Sequence, residues 1–391
     1  RTRAPMTLVS KAQSNTSSSD SLPDSGPDYA AATLTINLDA IMANYRQLSE
    51  TFTGRHVAAA VKANAYGTGQ ACTAPALFKA GCRIYFVAVL AEAVELREIL
   101  GPEPEIYVLA GVNTAEIPTF IDHDLRPVLN HLGQIDDWSG AAKSDENSRP
   151  AALHVDTGMA RLGLPDYEFR TLLAEQDRLT GIDLKLTMTH LANGDEPDNP
   201  ANGMQRDQFR EIAAHFPIAE ASFANGAGIL LGPEFHFDVA RAGLALYGGN
   251  PFGSGPNPMS EVVHLKAKIL QVREIDSPQA VGYGASHRAT GPARIATIPV
   301  GYADGYPRSL GNRGFAVIDG IRIPVVGRVS MDLITVDVTD VPAHLAVPGC
   351  EVNLLGGDVS ANELAPAADT VDYELFTRLG RRFKRTYIGG A

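Results

Sequence analysis

From about residue 34 onward, short apolar runs alternate with segments whose apolar positions recur every three or four residues. The runs are His56–Val61, Ile84–Val89, Glu105–Ala110, Arg126–Leu129, Ala151–Val155, Leu184–Thr189, Glu220–Ala224 and Phe237–Ala240. Most are continuous rather than alternating, the pattern of strands buried on both faces. Helices are predicted between them, among them AEAVELREIL at 91–100 and ANGMQRDQFREIAAHF at 201–216. Eight strand–helix units over roughly 200 residues predict a (β/α)8 barrel. A doubly wound sheet gives a similar alternation, so the count by itself leaves both open.

The ends of these strands favour the barrel. Lys62 follows the first run, Asp156 and Arg161 the fifth, His190 the sixth, Asn225-Gly226 the seventh and Arg241 the eighth. Polar groups at the carboxyl ends of barrel strands converge on one mouth, where such barrels place their sites. A single strand-end histidine or arginine is more often a satisfied structural group than a catalyst. Five such positions at one end of one sheet point to chemistry.

After about residue 262 the pattern changes. HLKAKILQV, ARIATIPV, FAVIDGIRIPVVG and DLITVDVTD are short, β-branched and separated by turn signals. Asp319-Gly320 between two such runs marks a hairpin. A mostly antiparallel β domain over 263–391 is therefore predicted after a barrel over 31–262, with the early run 32–38, ATLTINL, as a strand that can join it. Residues 10–28 are rich in Ser, Asp and Pro, and residues 1–30 read as a disordered polar tail. No apolar signal core precedes that tract. The chain starts at Arg1 rather than Met, which leaves processing or a cloning remnant as readings of that start.

Composition narrows the function classes. Across 391 residues the apolar and charged fractions, 45% and 20%, are those of an ordinary globular protein. Thirty-three basic residues against 45 acidic ones give a net charge of −12 with no dense basic cluster, which disfavours a nucleic-acid or anionic-membrane partner. Cys72, Cys82 and Cys350 are odd in number and lack any Cys-x-x-Cys spacing, so no disulfide framework or zinc site is predicted and a reducing, cytoplasmic setting is the simpler reading. No apolar stretch approaches the roughly 18 residues of a membrane span.

A lysine at a strand end beside small residues suits imine formation with an aldehyde, because partial burial lowers its pKa and frees the amine as a nucleophile. Pyridoxal phosphate (PLP) is the usual aldehyde cofactor. It needs a phosphate cradle, a partner for its ring nitrogen and a wall for its ring. The segment Asn225-Gly226-Ala227-Gly228 offers backbone amides ahead of a helix for the phosphate. Arg241 can reach the ring nitrogen, and His190 can pack against the ring.

Nine motifs in register carry a family resemblance. AVKANAYGTG, HVDTGMARLG, MTHLANGDE, FANGAG, VARAGLALYGGNP, VGYGASH, PVGYADGYPRSL, VGRVSMD and TVDYEL together resemble the alanine racemase family over residues 33–391. The resemblance implies a fold-type III PLP enzyme that interconverts L- and D-alanine for peptidoglycan. It also implies a barrel, a C-terminal β domain and a head-to-tail homodimer that shares its active sites. Lys62 would hold the cofactor and act as one base, and Tyr283, supplied by the partner subunit, as the other. Arg161 would bind the substrate carboxylate, with Met331 of the partner subunit closing the pocket. Tyr66, Gly226, Gly243, Leu244 and Tyr373 match the phosphate cradle, and Asp195, Tyr302 and Arg308 match the substrate access path.

Racemisation removes the Cα proton from one face and returns one to the other, so two bases on opposite faces suffice. In the family, a chain from tyrosine through histidine to arginine polarises the tyrosine, here Tyr283, His190 and Arg241. Arginine stays protonated and discourages protonation of the ring nitrogen, which favours return of the proton to Cα over transamination.

Two positions depart from the family pattern. His154 stands where many members carry a carbamylated lysine that orients the carboxylate-binding arginine, so Arg161 is predicted to be oriented by another acceptor or by a bound anion such as chloride. Gly226 replaces a phosphate-binding serine, which predicts weaker PLP retention. These departures keep a racemase of broader amino-acid specificity as the alternative. A non-catalytic PLP-binding protein built on the barrel alone is disfavoured by the β domain with Tyr283 and Met331, and a decarboxylase on the same barrel fits RAGLALYG and GYGASH poorly.

Overall fold

The computed structural model describes residues 31–144 and 148–390. The polar tail expected at 1–30 lies outside them. The first strand, β1 (Ala32–Asn37), is followed by the barrel strands β2 (His56–Ala60), β3 (Ile84–Val87), β4 (Glu105–Val108), β5 (Arg126–Leu129), β6 (Arg149–His154), β7 (Ile182–Met188), β8 (Glu220–Ser222) and β9 (Val239–Ala242). They form one eight-stranded parallel sheet in the order β8-β7-β6-β5-β4-β3-β2-β9. Single bridges, Ser222 to Phe237 and Asn225 to Arg241, bring its two ends together and close the barrel. Every residue of β3 and β9 is buried, as expected of strands covered on both faces.

The eighth strand is a correction to the sequence reading. It runs over Val239–Ala242 rather than 237–240, because Phe237 takes a left-handed φ of 55° and Asp238 turns its carboxylate onto the Ala221 amide (2.9 Å). Arg241 therefore lies within the strand and not beyond it. Similar end effects start β6 two residues early and end β8 at Ser222.

The C-terminal part contains β10 (Val263–Lys268), β11 (Gln271–Ile275), β12 (Gln279–Val281), β13 (His287–Ala289), β14 (Ala293–Ile298), β15 (Phe315–Ile318), β16 (Ile321–Pro324), β17 (Ile334–Asp337), β18 (Glu351–Leu355) and β19 (Lys384–Ile388). A six-stranded sheet runs β16-β15-β18-β10-β1-β19, and only its β1–β19 pair is parallel. β1 thus pairs with C-terminal strands rather than with the barrel. Asp319 (φ 47°) and Gly320 (φ 77°) make the predicted tight hairpin between β15 and β16. No helix among the described residues is long and apolar enough to cross a membrane.

The two parts meet at the turn after β2. Arg385 and Tyr387, from β19, donate to the carbonyls of Gly67 (2.6 Å) and Thr68 (2.9 Å). Gly67 has φ 80°, and a Cβ there would lie 2.0 Å from the Phe376 carbonyl oxygen. Within the barrel, Asn130 and His154 pair from adjacent strand ends. Asn130 donates its amide to the carbonyls of Val128 (2.9 Å) and Leu109 (3.0 Å), so its oxygen is left to accept from His154 Nδ1 (2.8 Å). Burial, with help from the charges of Arg241 and Arg161, brings the His154 pKa down to about 4.

Two expectations follow. Gly67→Ala is expected to lower stability by roughly 2–4 kcal/mol, read as a fall in the urea midpoint, since both φ and the Phe376 carbonyl oppose a side chain. His154 is neutral in the folded chain but titrates near 6.5 when unfolded, so between those values the unfolded chain binds more protons. Its contribution is present above pH 6.5 and is lost as pH falls towards about 4, on the order of 3 kcal/mol. His154→Gln is expected to give a shallower loss of urea midpoint between pH 7 and 4.5 than the parent chain.

Candidate active site

Small residues in β2, Ala58 to Ala60, let neighbouring strands close around it and deliver Lys62 to the barrel mouth. The chain then does something uncommon. Ala63, Asn64, Ala65 and Tyr66 all adopt left-handed helical angles, with φ between 52° and 54°. That region disfavours residues with a Cβ by roughly 1–2 kcal/mol each. Local bonds offset the cost: Ala63 N–H donates to Glu92 Oε1 (2.6 Å), Gln70 N–H to Asn64 Oδ1 (2.8 Å) and Gly67 N–H to the Ala63 carbonyl (2.9 Å). The Tyr66 ring stacks on Tyr247 at 4.7 Å, and Tyr247 donates to the Ala60 carbonyl (2.8 Å).

Arg241, 5% exposed, donates to the carbonyls of Thr189 (2.6 Å) and Ser222 (3.0 Å) and to the Ser222 hydroxyl (2.5 Å). No carboxylate among the described residues pairs with it. Burial alone brings its pKa down to about 10, which still leaves it charged at neutral pH. Its Nη2 stands 3.4 Å from His190 Nδ1. Burial first, then the charges of Arg241 and Arg161, holds His190 well below its ordinary value. A neutral His190 accepting at Nδ1 carries its proton on Nε2. Lys62 is likewise lowered, by burial and by Arg161 and Arg241, with Glu92 opposing.

Arg161 sits on a loop shaped by Asp156, whose Oδ1 accepts from Gly158 (3.0 Å), Met159 (2.9 Å) and Ala160 (3.2 Å). Desolvation opposes ionisation of Asp156, but these amides hold its pKa below the usual range. The Arg161 guanidinium has no hydrogen bond or ion pair among the described residues. The mouth therefore carries an excess of positive charge.

A second set of donors lies beside it. The helix Gly226–Leu231 begins after Asn225, whose side-chain oxygen caps the Gly228 amide (3.0 Å), so Asn225 offers a cap rather than a free side chain. The amides of Gly226 and Ala227 precede the first intrahelical bonds and face outward from the helix start. Gly243 brings its backbone close to the Tyr66 hydroxyl, and a Cβ there would lie 2.6 Å from that oxygen. Leu244 is buried at the start of the short turn Leu244–Tyr247. The Tyr373 ring lies 6.0 Å from that of Tyr66, and neither phenol makes a hydrogen bond among the described residues. Two phenols and two helix-start amides without internal acceptors, next to a cationic mouth, fit an anionic group such as a phosphate.

Tyr283, Met331, Tyr302 and Arg308 make no hydrogen bond, ion pair or ring contact with this cluster among the described residues. Tyr283 (72% exposed) and Met331 (54%) stand on the C-terminal part with Tyr302, and Arg308 is also exposed. Backbone bonds from Tyr302 to the Ser330 carbonyl (3.0 Å) and from Ala303 to the Met331 carbonyl (2.9 Å) zip two of their loops together. Arg382 fastens both loops, gripping Asp304 with two bonds (2.5 and 2.8 Å) and Asp332 with one (2.7 Å). Asp195 is exposed, and its charge helps raise the Tyr373 pKa, behind burial. The sequence reading missed Glu92, Asn130, Ser222, Arg382 and Arg385. Asn130 follows the end of β5 and Ser222 ends β8, yet neither was singled out, and Glu92, Arg382 and Arg385 act through contacts distant in sequence.

Comparison with known proteins agrees with this geometry. The family models "Alanine racemase, N-terminal domain" and "Alanine racemase, C-terminal domain" match residues 36–251 and 262–387. The chain is 51% identical over 363 residues to the alanine racemase of Rhodospirillum rubrum, covering 93% of this chain and 97% of that one. It is 45% identical over 361 residues to a catabolic alanine racemase of Mesorhizobium japonicum, covering 92% and 94%. The fold superposes on the crystal structure of the Bartonella henselae alanine racemase, which holds covalently bound PLP, with a TM-score of 0.89 and 39% identity over 92% of this chain and all of that one. With both family models matched in order along nearly its whole described length, the chain belongs to the alanine racemase family.

Proposed function

We propose that this chain is a cytoplasmic, PLP-dependent alanine racemase that works as a homodimer with shared active sites. The observation that carries the reading is Arg241, a buried cation in the barrel mouth with no carboxylate partner among the described residues. When bound, PLP supplies an electron sink that makes the substrate Cα–H acidic. Lys62 holds the cofactor and moves a proton at Cα on one face. Tyr283 of the partner subunit does so on the other, and each returns a proton when the other removes one. Arg241 donates to the cofactor ring nitrogen and keeps it unprotonated, while neutral His190 relays polarity from Arg241 towards the tyrosine. Tyr66, Tyr373, Gly226, Gly243, Leu244 and the Asn225-capped helix start cradle the phosphate.

Arg161 binds the substrate carboxylate, and Met331 of the partner subunit closes over it. Asp195, Tyr302 and Arg308 line the approach. The exposure of Tyr283, Met331 and Tyr302 supports the homodimer, because large side chains held in fixed loops at the surface are suited to completing another copy's site. The division into barrel (31–262) and β domain (263–391) gives each dimer site a Lys62 face from one chain and a Tyr283 face from the other. We assign D-alanine supply for peptidoglycan as the physiological direction. Two similar proteins described as catabolic make D-alanine breakdown the second reading.

Racemisation is tested by incubating PLP-loaded protein with L-alanine, L-serine and L-lysine in deuterated water. The expected result is D-alanine with deuterium at Cα; no exchange with any substrate would sink the reading, and comparable exchange with all three would favour the broad-specificity alternative. Lys62→Ala and Tyr283→Phe are each expected to lower racemisation by at least about 10²-fold. Mixed dimers of the two variants are expected to recover roughly a quarter of parental activity, because half the dimers carry one intact site. No recovery on mixing would rule out the shared site.

Gly226→Ser tests the altered cradle. Its Cβ would lie 3.1 Å from the Ala245 methyl, which must yield by a few tenths of an ångström. A new donor to a charged phosphate is expected to tighten PLP binding by about tenfold or more. Unchanged PLP affinity in an equilibrium dialysis titration would count against the expected weakness at this position.

A further inference from the structure

We propose that Glu92 is the positioning residue for Lys62, holding the left-handed turn that carries the lysine and supplying negative charge to its surroundings. The inference rests on the reading of Lys62 as the cofactor-bearing, proton-moving residue.

Glu92 is the third residue of the helix Leu90–Leu100 and uses both carboxylate oxygens. Oε2 reaches back to the amides of Ala88 (2.8 Å) and Val89 (3.4 Å), stabilising the start of its own helix. Oε1 leaves that helix and accepts from Ala63 N–H at 2.6 Å, across 29 residues of sequence. Ala63 is the first residue of the left-handed run and the immediate neighbour of Lys62. The Glu92 carbonyl accepts a further bond from Gln70 (3.4 Å), whose own amide is held by Asn64 within the same turn. One half-buried side chain thus ties the turn that aims the lysine to the strand–helix connection after β3.

The charges acting on Lys62 make the second half of the case. Arg161 and Arg241 lower its pKa along with burial, and Glu92 raises it. His190, which also faces this cluster, is neutral. Glu92 therefore opposes burial and two arginines, and its charge raises the pH at which the Lys62 amine loses its proton. A glutamine keeps the shape, but its amide offers one accepting oxygen instead of two and carries no charge.

The test uses the full chain. After PLP removal, trace labelling of amines with acetic anhydride across a pH series reports the Lys62 midpoint by mass spectrometry. Hydrogen exchange reports protection of the Ala63 amide. In Glu92→Gln the Lys62 midpoint is expected to move to lower pH, the Ala63 amide to exchange about tenfold faster, and kcat of the loaded enzyme to fall more than KM changes. Glu92→Asp keeps the charge but withdraws it by one methylene, so it is expected to speed exchange at Ala63 with a smaller midpoint shift. Where Glu92→Gln does not fold, an Ala63 amide as protected in Glu92→Asp as in the parent overturns the proposal. An unchanged midpoint or unchanged exchange in a folded Glu92→Gln also overturns it, with the parent's racemase activity left standing. A shifted midpoint and faster exchange in a chain that does not racemise alanine would instead retire the proposed function and keep the assignment of the lysine's support.

Discussion

Residues with a Cβ resist the left-handed helical region, and this chain places four of them there in succession immediately after Lys62. Such a turn persists only when its surroundings over-determine it. Here the supports come from every side. Glu92 holds its first amide, Tyr247 stacks on its last ring, and Phe376, Arg385 and Tyr387 of the C-terminal part close over Gly67 to Gly69. The lysine's direction therefore depends on both halves of the chain being docked.

Electrostatics at the mouth follows from the same tight packing. Arg241 is buried with neutral carbonyl and hydroxyl acceptors and no acid, and Arg161 stands without an acceptor among the described residues. The neighbouring histidines answer by staying neutral, His190 beside Arg241 and His154 against Asn130. With Asp156 and Glu92 engaged by backbone amides, neither arginine has a carboxylate partner among the described residues, and a phosphate and a carboxylate, the two charges that a cofactor and an amino acid bring, suit the site. His154 cannot serve Arg161 as an acidic partner, since burial and the two arginines favour its uncharged form.

The C-terminal part contributes in two ways. Inward, its last strand and the segment around Phe376 brace the lysine turn. Outward, the paired loops at Tyr302 and Met331, fastened by Arg382 through Asp304 and Asp332, hold large side chains at the surface in a fixed arrangement. Gly301 permits the close crossing of these loops, since a Cβ there would lie 2.3 Å from the Met331 carbonyl oxygen.

By itself the sequence determined the order of strands, the barrel followed by a β domain, and the polar positions that close or follow the strands at Lys62 and His190. Each of these is written in local apolar runs and in the side chain that ends them. It missed the two-residue shift of β9, because the left-handed angle at Phe237 answers to contacts of Asp238 across the sheet and not to its neighbours. Nor did it disclose the left-handed run itself, since Ala-Asn-Ala-Tyr has no local reason to leave the right-handed region. Glu92, Arg382 and Arg385 look like ordinary surface residues until folding brings them to partners 29 or more positions away. Local pattern decides which segments are buried and where they end. Only the tertiary structure decides which distant charge or carbonyl meets each strand end, because those bonds join parts of the chain that share no local periodicity.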